Sequence, residues 1–102
     1  MGLNRMLFKN GNKDDFILYL ERTIETFKDD NIDGIGEYAF SDCTSLTSVY
    51  LPNVTSIYDY AFSRCLSLTS VHFAAKNKET IEVLSGYSSK FDATNATIYF
   101  DL

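Results

Sequence analysis

Few residues of this chain stand at spacings that could support chemistry, and each group also has a plainer structural explanation. Asp29-Asp30-Asn31-Ile32-Asp33-Gly34 matches the first half of a calcium loop, where alternating acids and a turn-permitting glycine are required. Asp29, Asn31 and Asp33 would be its ligands. The twelfth position of such a loop must supply a bidentate carboxylate, and here it is Phe40, so an acidic turn between strands is the expected role. Gly34-Ile35-Gly36-Glu37-Tyr38-Ala39 formally satisfies the dinucleotide fingerprint G-x-G-x-x-A. That motif works only between a core strand and a long helix, and nothing after Ala39 reads as one. Cys43, Cys65 and His72 are too few ligands for a zinc site, and His72 has no Ser or Cys in a recognisable elbow or triad motif. No catalytic residue, metal or cofactor is therefore assigned.

The elements that must position these residues are set by an internal repeat. Ile35 to Leu51, IGEYAFSDCTSLTSVYL, aligns without a gap on Ile57 to Phe73, IYDYAFSRCLSLTSVHF, at an offset of 22 residues. Eleven of the seventeen positions are identical, which chance does not produce. The same offset carried backwards sets Ile24 under Leu46, Phe27 under Val49, Ile32 under Val54 and Ile35 under Ile57. Forwards the register breaks, but Ile98-Tyr99-Phe100 repeats Val71-His72-Phe73 after 27 residues, across a modified connection from Ala74 to Asn95. The expected organisation is one domain over residues 1–102: a cap and degenerate repeat at 1–34, repeats at 35–56 and 57–78, and a cap with a final strand at 79–102. Asn12, Asp14 and Asp15 ahead of Phe16 to Leu20 read as the start of a helix, with a buried strand as the alternative. Asn77 and Glu79 ahead of Thr80 to Leu84, with Gly86 as the stop, predict a second short helix.

In a stacked repeat each unit buries its apolar side chains only against its neighbours, so equivalent core positions stay apolar while outward ones drift. Leu46/Leu68, Val49/Val71/Ile98, Leu51/Phe73/Phe100 and Phe40/Phe62 fit the first class, and Gly36/Tyr58, Asp42/Arg64 and Tyr50/His72 the second. Asp29 stands where Leu51 and Phe73 stand, which predicts a first level open to water. Cys43 and Cys65 would lie one level apart with parallel Cβ directions, a geometry that favours two free, buried thiols over a disulfide. Asn53-Val54-Thr55 and Asn95-Ala96-Thr97 match the glycosylation pattern and are expected to serve as turns. Phe62→Ala is expected to cost roughly 3–5 kcal/mol by leaving a cavity, and Tyr50→Ala under about 1 kcal/mol.

These units resemble the BspA-like type of leucine-rich repeat, which runs I-G-x-x-A-F-x-x-C-x-S-L-x-x-V-x-L-P-x-x-V-x-x. Residues 35–56 fit nearly throughout, and Ile57 to Phe73 fits with Tyr58 in the usual glycine position. The resemblance implies an α/β solenoid: a right-handed β/α superhelix of short parallel strands with short capping helices. It also implies a bacterial setting, since such repeats occur in surface and prophage-encoded proteins, and it transfers no catalytic residue.

Composition narrows the partners. A formal charge of −5 and no basic cluster argue against nucleic acid and anionic lipid, and no segment is apolar enough to insert in a membrane. Met1 to Lys13 has only Met6-Leu7-Phe8 as an apolar cluster, so no secretion signal is read there. The expected localisation is cytoplasmic, with the cell surface and a virion as alternatives. The expected function is a non-catalytic protein-binding module that displays Lys28, Ser48, Tyr50, Ser70, His72 and Tyr99 on one sheet face, because rigid aromatics among small hydroxyls suit recognition. The alternative is a structural or assembly protein that forms homo-oligomers through its ends, prophage-encoded or a fragment of a longer repeat array.

Overall fold

A computed structural model of the chain describes residues 7–9, 12–17, 24–82, 91, 94 and 96–102. Its strands are β1 (Leu7–Lys9), β2 (Asn12–Ile17), β3 (Thr26–Lys28), β4 (Ile32–Ile35), β5 (Ser48–Leu51), β6 (Ser56–Ile57), β7 (Ser70–Phe73) and β8 (Thr97–Phe100). A short helix, α1 (Lys78–Glu82), follows a 3-10 turn over Ala75–Asn77. The strands form two sheets, ordered β2-β1-β4-β6 and β3-β5-β7-β8. All pairs between repeat units are parallel, and their register is the 22-residue offset of the sequence: Phe27 pairs with Val49, Val49 with Val71, and Ile35 with Ile57. The longer offset holds as well, with Val71 opposite Ile98 and His72 opposite Tyr99.

Short β-branched and aromatic runs suit these strands, and Pro52, which lacks an N–H for a ladder, directly follows Leu51 at the end of β5. Within β5 and β7 the alternation is strict: Val49, Leu51, Val71 and Phe73 are fully buried, while Ser48, Tyr50, Ser70 and His72 face the other way. The core stacks like on like. The rings of Phe40 and Phe62 lie 4.9 Å apart and within 1° of parallel, and Phe91 continues the stack on Phe62 at 5.1 Å. Phe91 comes from the modified connection, outside the 22-residue register, so the enlarged last unit still supplies the ring that the ladder needs. Between strands the turns are tied to their neighbours too: Phe40 N–H donates to Ala61 O, Asp42 N–H to Ser63 O and Tyr58 N–H to Ile35 O. Thus backbone groups that leave a strand still find partners one unit away. Both cysteines are buried and outside any disulfide, and the Cys65 thiol donates to Phe40 O at 2.9 Å.

The amino-terminal cap differs from the expected helix. Asn12–Ile17 is a strand, antiparallel to β1, and β1 is in turn antiparallel to β4. Leu18 to Leu20 lie outside the described residues. Antiparallel pairing of β2 with β1, itself held on β4, outweighs the capping propensity of Asn12. Hairpin docking also explains Gly34, whose unit-two equivalent is Ser56: a β-carbon there would meet Phe8 Cδ2 at 2.8 Å. Phe8 is buried on that bare backbone, with its ring edge-on to Tyr58 at 5.6 Å. Tyr58, against Phe8, is half-buried, and Gly36 is buried, where the repeat pattern had placed both facing outwards.

At the other end α1 begins after Asn77 as the sequence predicts, but the Asn77 amide donates to Val54 O at 3.2 Å and so ties the turn to the previous unit. Gly86 lies outside the described residues. The sheets are staggered, since β4 follows β3 and β6 follows β5. The first sheet runs two strands past β4, and the second two strands past β5 in the opposite direction. The molecule, measuring 30 × 28 × 24 Å, is about as broad as it is long.

Two stability measurements test this packing. Gly34→Ala is expected to cost about 1–3 kcal/mol through its clash with Phe8. Adding Phe8→Ala should make the double variant lose less than the sum of the two single losses. Phe62→Ala should lower the urea midpoint by the equivalent of about 3–5 kcal/mol. Tyr50→Ala, half-buried rather than displayed, should cost about 1–2 kcal/mol, and equal shifts for the two would refute the face assignment.

Candidate functional site

The outward face of the second sheet gathers the residues expected to bind. Backbone pairing puts Lys28, Tyr50, His72 and Tyr99 in one row, and Thr26, Ser48, Ser70 and Thr97 in a second. Parallel strands stand about 4.8 Å apart, and flat side chains at equivalent positions inherit that distance. Tyr50 and His72 stack at 4.5 Å and 11°, and His72 and Tyr99 at 4.8 Å and 10°. In the second row the Thr26 and Ser48 hydroxyls are 3.4 Å apart.

Stacking changes what the row presents. His72 is not displayed: its side chain is 15% exposed, covered on both faces by tyrosine rings, while Tyr99 at the end of the stack is 42% exposed. The imidazole Nδ1 lies 2.9 and 3.1 Å from the two carboxylate oxygens of Asp101. A carboxylate only accepts, so this contact places the Nδ1 proton between them and fixes the ring's orientation. Asp101 was not among the expected site residues. It stands 29 residues from His72, outside the repeat register, and no sequence signal marks it.

The candidate calcium ligands are not arranged as a loop. Ile32–Ile35 is a strand, so Asp33 is held in a ladder, and Thr55 N–H donates to its carbonyl. Asp29 instead caps a tight turn by accepting from Asn31 N–H at 2.7 Å, and Phe40 is fully buried. The Oδ1 of Asp33 is buried without a hydrogen-bond partner, and no group of three or more His, Cys, Asp or Glu among the described residues is placed to hold a metal. Asp29 also ends β3 one residue short of β5, and half-buried Ile24 and Phe27 leave the first level partly open, as the acid in an apolar column predicts. The dinucleotide fingerprint dissolves in the same way, because Gly34 and Ile35 are inside β4 and residues 37–42 form turns. Asn53 donates its amide to Asp30 O at 2.6 Å, a turn role; Asn95 lies outside the described residues.

A second aromatic feature lies on the turns beyond the first sheet. Tyr38 and Tyr60 stack at 5.4 Å and 13° and are 38% and 40% exposed, and beside them Arg64 Nε donates to Asp42 at 2.8 Å. Their identity at a 22-residue spacing is the sequence signal that marks them.

No helix among the described residues is long and apolar enough to cross a membrane. Comparison with curated proteins and with solved structures returns no match. The family described as "BspA type Leucine rich repeat region (6 copies)" matches residues 17–94, which takes in β3 to β7 and α1. With stacked parallel strands in its 22-residue register, the chain belongs to the BspA-type leucine-rich repeat family.

Proposed function

We propose that the chain is a short right-handed leucine-rich-repeat solenoid acting as a non-catalytic protein-binding module through the outward face of its second sheet. The observation that carries this reading is the register of three rings, Tyr50, His72 and Tyr99, stacked on a face that contributes nothing to the core. Each ring locks its neighbour, so the row meets a partner with little entropy left to lose. Lys28 at one end and Asp101 at the other place opposite charges beside the aromatic strip, which favours one orientation of the partner.

A second reading, assembly of copies through their ends, is favoured by one fact. Ile98 and Phe100 in the end strand β8 are half-buried, whereas their equivalents Val71 and Phe73 are fully buried. The stagger of the sheets counts against simple stacking, because laying β3 of one copy beside β8 of another would bring its β2 to the level of α1. Light scattering across concentration separates the two, since a binding module stays monomeric and an assembly unit does not.

Replacing Tyr50, His72 and Tyr99 together by Ser tests the favoured reading. Capture of a protein from a lysate of the source cells, identified by mass spectrometry, should be lost while the circular-dichroism spectrum keeps its folded form. The melting temperature should fall only modestly, by the loss of two ring contacts worth about 1 kcal/mol each. Undiminished capture by the folded triple variant would refute the sheet face as the binding surface.

A further inference from the structure

Among the described residues, four non-glycine positions hold a left-handed backbone: Tyr38 (φ 59°), Asp42 (φ 61°), Tyr60 (φ 59°) and Arg64 (φ 61°). They are the same two turn positions in successive units. For an L-residue this conformation costs roughly 1–2 kcal/mol, with glycine, Asn and Asp the usual occupants. Asp42 is one of these, and Arg64 gains its contact with Asp42. A tyrosine has no such local preference, so at positions 38 and 60 the backbone works against the residue. The core does not explain it either, because both rings are more than a third exposed.

Ser45 and Ser67 also agree while exposed, but the other exposed positions behave differently. Asp42/Arg64 and Thr44/Leu66 have diverged between the units. Where Thr47 and Thr69 agree, each hydroxyl donates to a carbonyl 22 residues earlier, a structural reason to keep it. Tyr38 and Tyr60 agree at a backbone cost, and an acid, Glu37 or Asp59, directly precedes each. With Asp42 and Arg64 counted, this surface carries three acids and one base. Two stacked electron-rich rings in a negative field suit a planar cation, which packs against a ring face while carboxylates balance its charge.

We propose that Tyr38 and Tyr60, flanked by Glu37 and Asp59, form a second recognition surface, for an arginine-bearing segment of a partner protein. This surface lies on the turns after β4 and β6, apart from the row on the second sheet, and goes beyond the function proposed above. The left-handed backbone holds the two rings up from the turns, and their mutual stacking fixes the spacing at which guanidinium groups can pack.

Calorimetric titration of the whole chain with a short alternating Gly-Arg peptide, and with its Gly-Lys and Gly-Glu counterparts, tests this. The Arg peptide should bind, the Lys peptide more weakly, and the Glu peptide not at all. The Tyr38→Asn/Tyr60→Asn variant, which accepts the left-handed backbone, should melt at or above the wild-type temperature and bind the Arg peptide about tenfold more weakly. The Tyr38→Phe/Tyr60→Phe variant keeps both ring faces and should retain binding. Substituting Tyr50, His72 and Tyr99 by Ser should leave Arg-peptide binding unchanged, so this surface and the sheet face stand or fall separately. The proposal is overturned if the wild type does not bind the Arg peptide, or if the Asn variant binds it as tightly, since the attraction is then net charge alone. A sharp fall in melting temperature for the Asn variant would equally overturn it, by showing that the tyrosines serve folding.

Discussion

Parallel pairing between residues 22 positions apart is the interaction on which the rest of this structure depends. It sets Val49 beside Val71 and Ile35 beside Ile57, and it continues through the turns, where N–H groups of one unit meet carbonyls of another. Once the backbones are about 4.8 Å apart, identical side chains must lie on one another. That is why Phe40 and Phe62 are almost perfectly parallel, and why a similar spacing recurs in rings outside the core. A residue inserted between ladder positions shifts every later contact, so length is conserved within the clear units. Where length does change, after Phe73, α1 and a ring at Phe91 restore the core on a new offset.

Such pairing leaves both ends of a stack unsatisfied, and this chain treats the two differently. At the amino end an antiparallel hairpin breaks the parallel order and seats Leu7 and Phe8 on the first sheet, over a glycine that alone leaves room. At the carboxy end β8 extends the second sheet, and Leu102 N–H donates to Phe73 O while its carbonyl accepts from Ala75 N–H. The stagger of the sheets follows from these two solutions, because the hairpin adds only to one sheet and β8 only to the other. An antiparallel cap also discourages further parallel growth, a common hazard of open sheet edges.

Function has to be sought among side chains that the stack does not need. On the second sheet, alternation throws every other residue outward, and the register then turns Tyr50, His72 and Tyr99 into a continuous strip. On the turns, the exposed tyrosine pair sits in a backbone conformation that folding alone would assign to a smaller residue. Both features arise from the same periodicity, so each unit contributes one element to each surface. Rigidity comes with it, since every displayed ring rests on another.

The sequence alone determined the period, the register of all three parallel contacts in the second sheet, and the buried columns Leu46/Leu68, Val49/Val71 and Leu51/Phe73. A repeat makes each of these visible twice, and burial permits little drift. It also marked Phe40 and Ala39 as core residues. The strand at Asn12–Ile17 was decided by pairing with β1, which is itself held on β4, contacts between segments that share no repeat pattern, and these overrode a local helix-start signal. The half-burial of His72, its contact with Asp101 and the contact of Tyr58 with Phe8 were likewise invisible. Alternation says which way a side chain points, but only the neighbours in space decide how much of it remains uncovered.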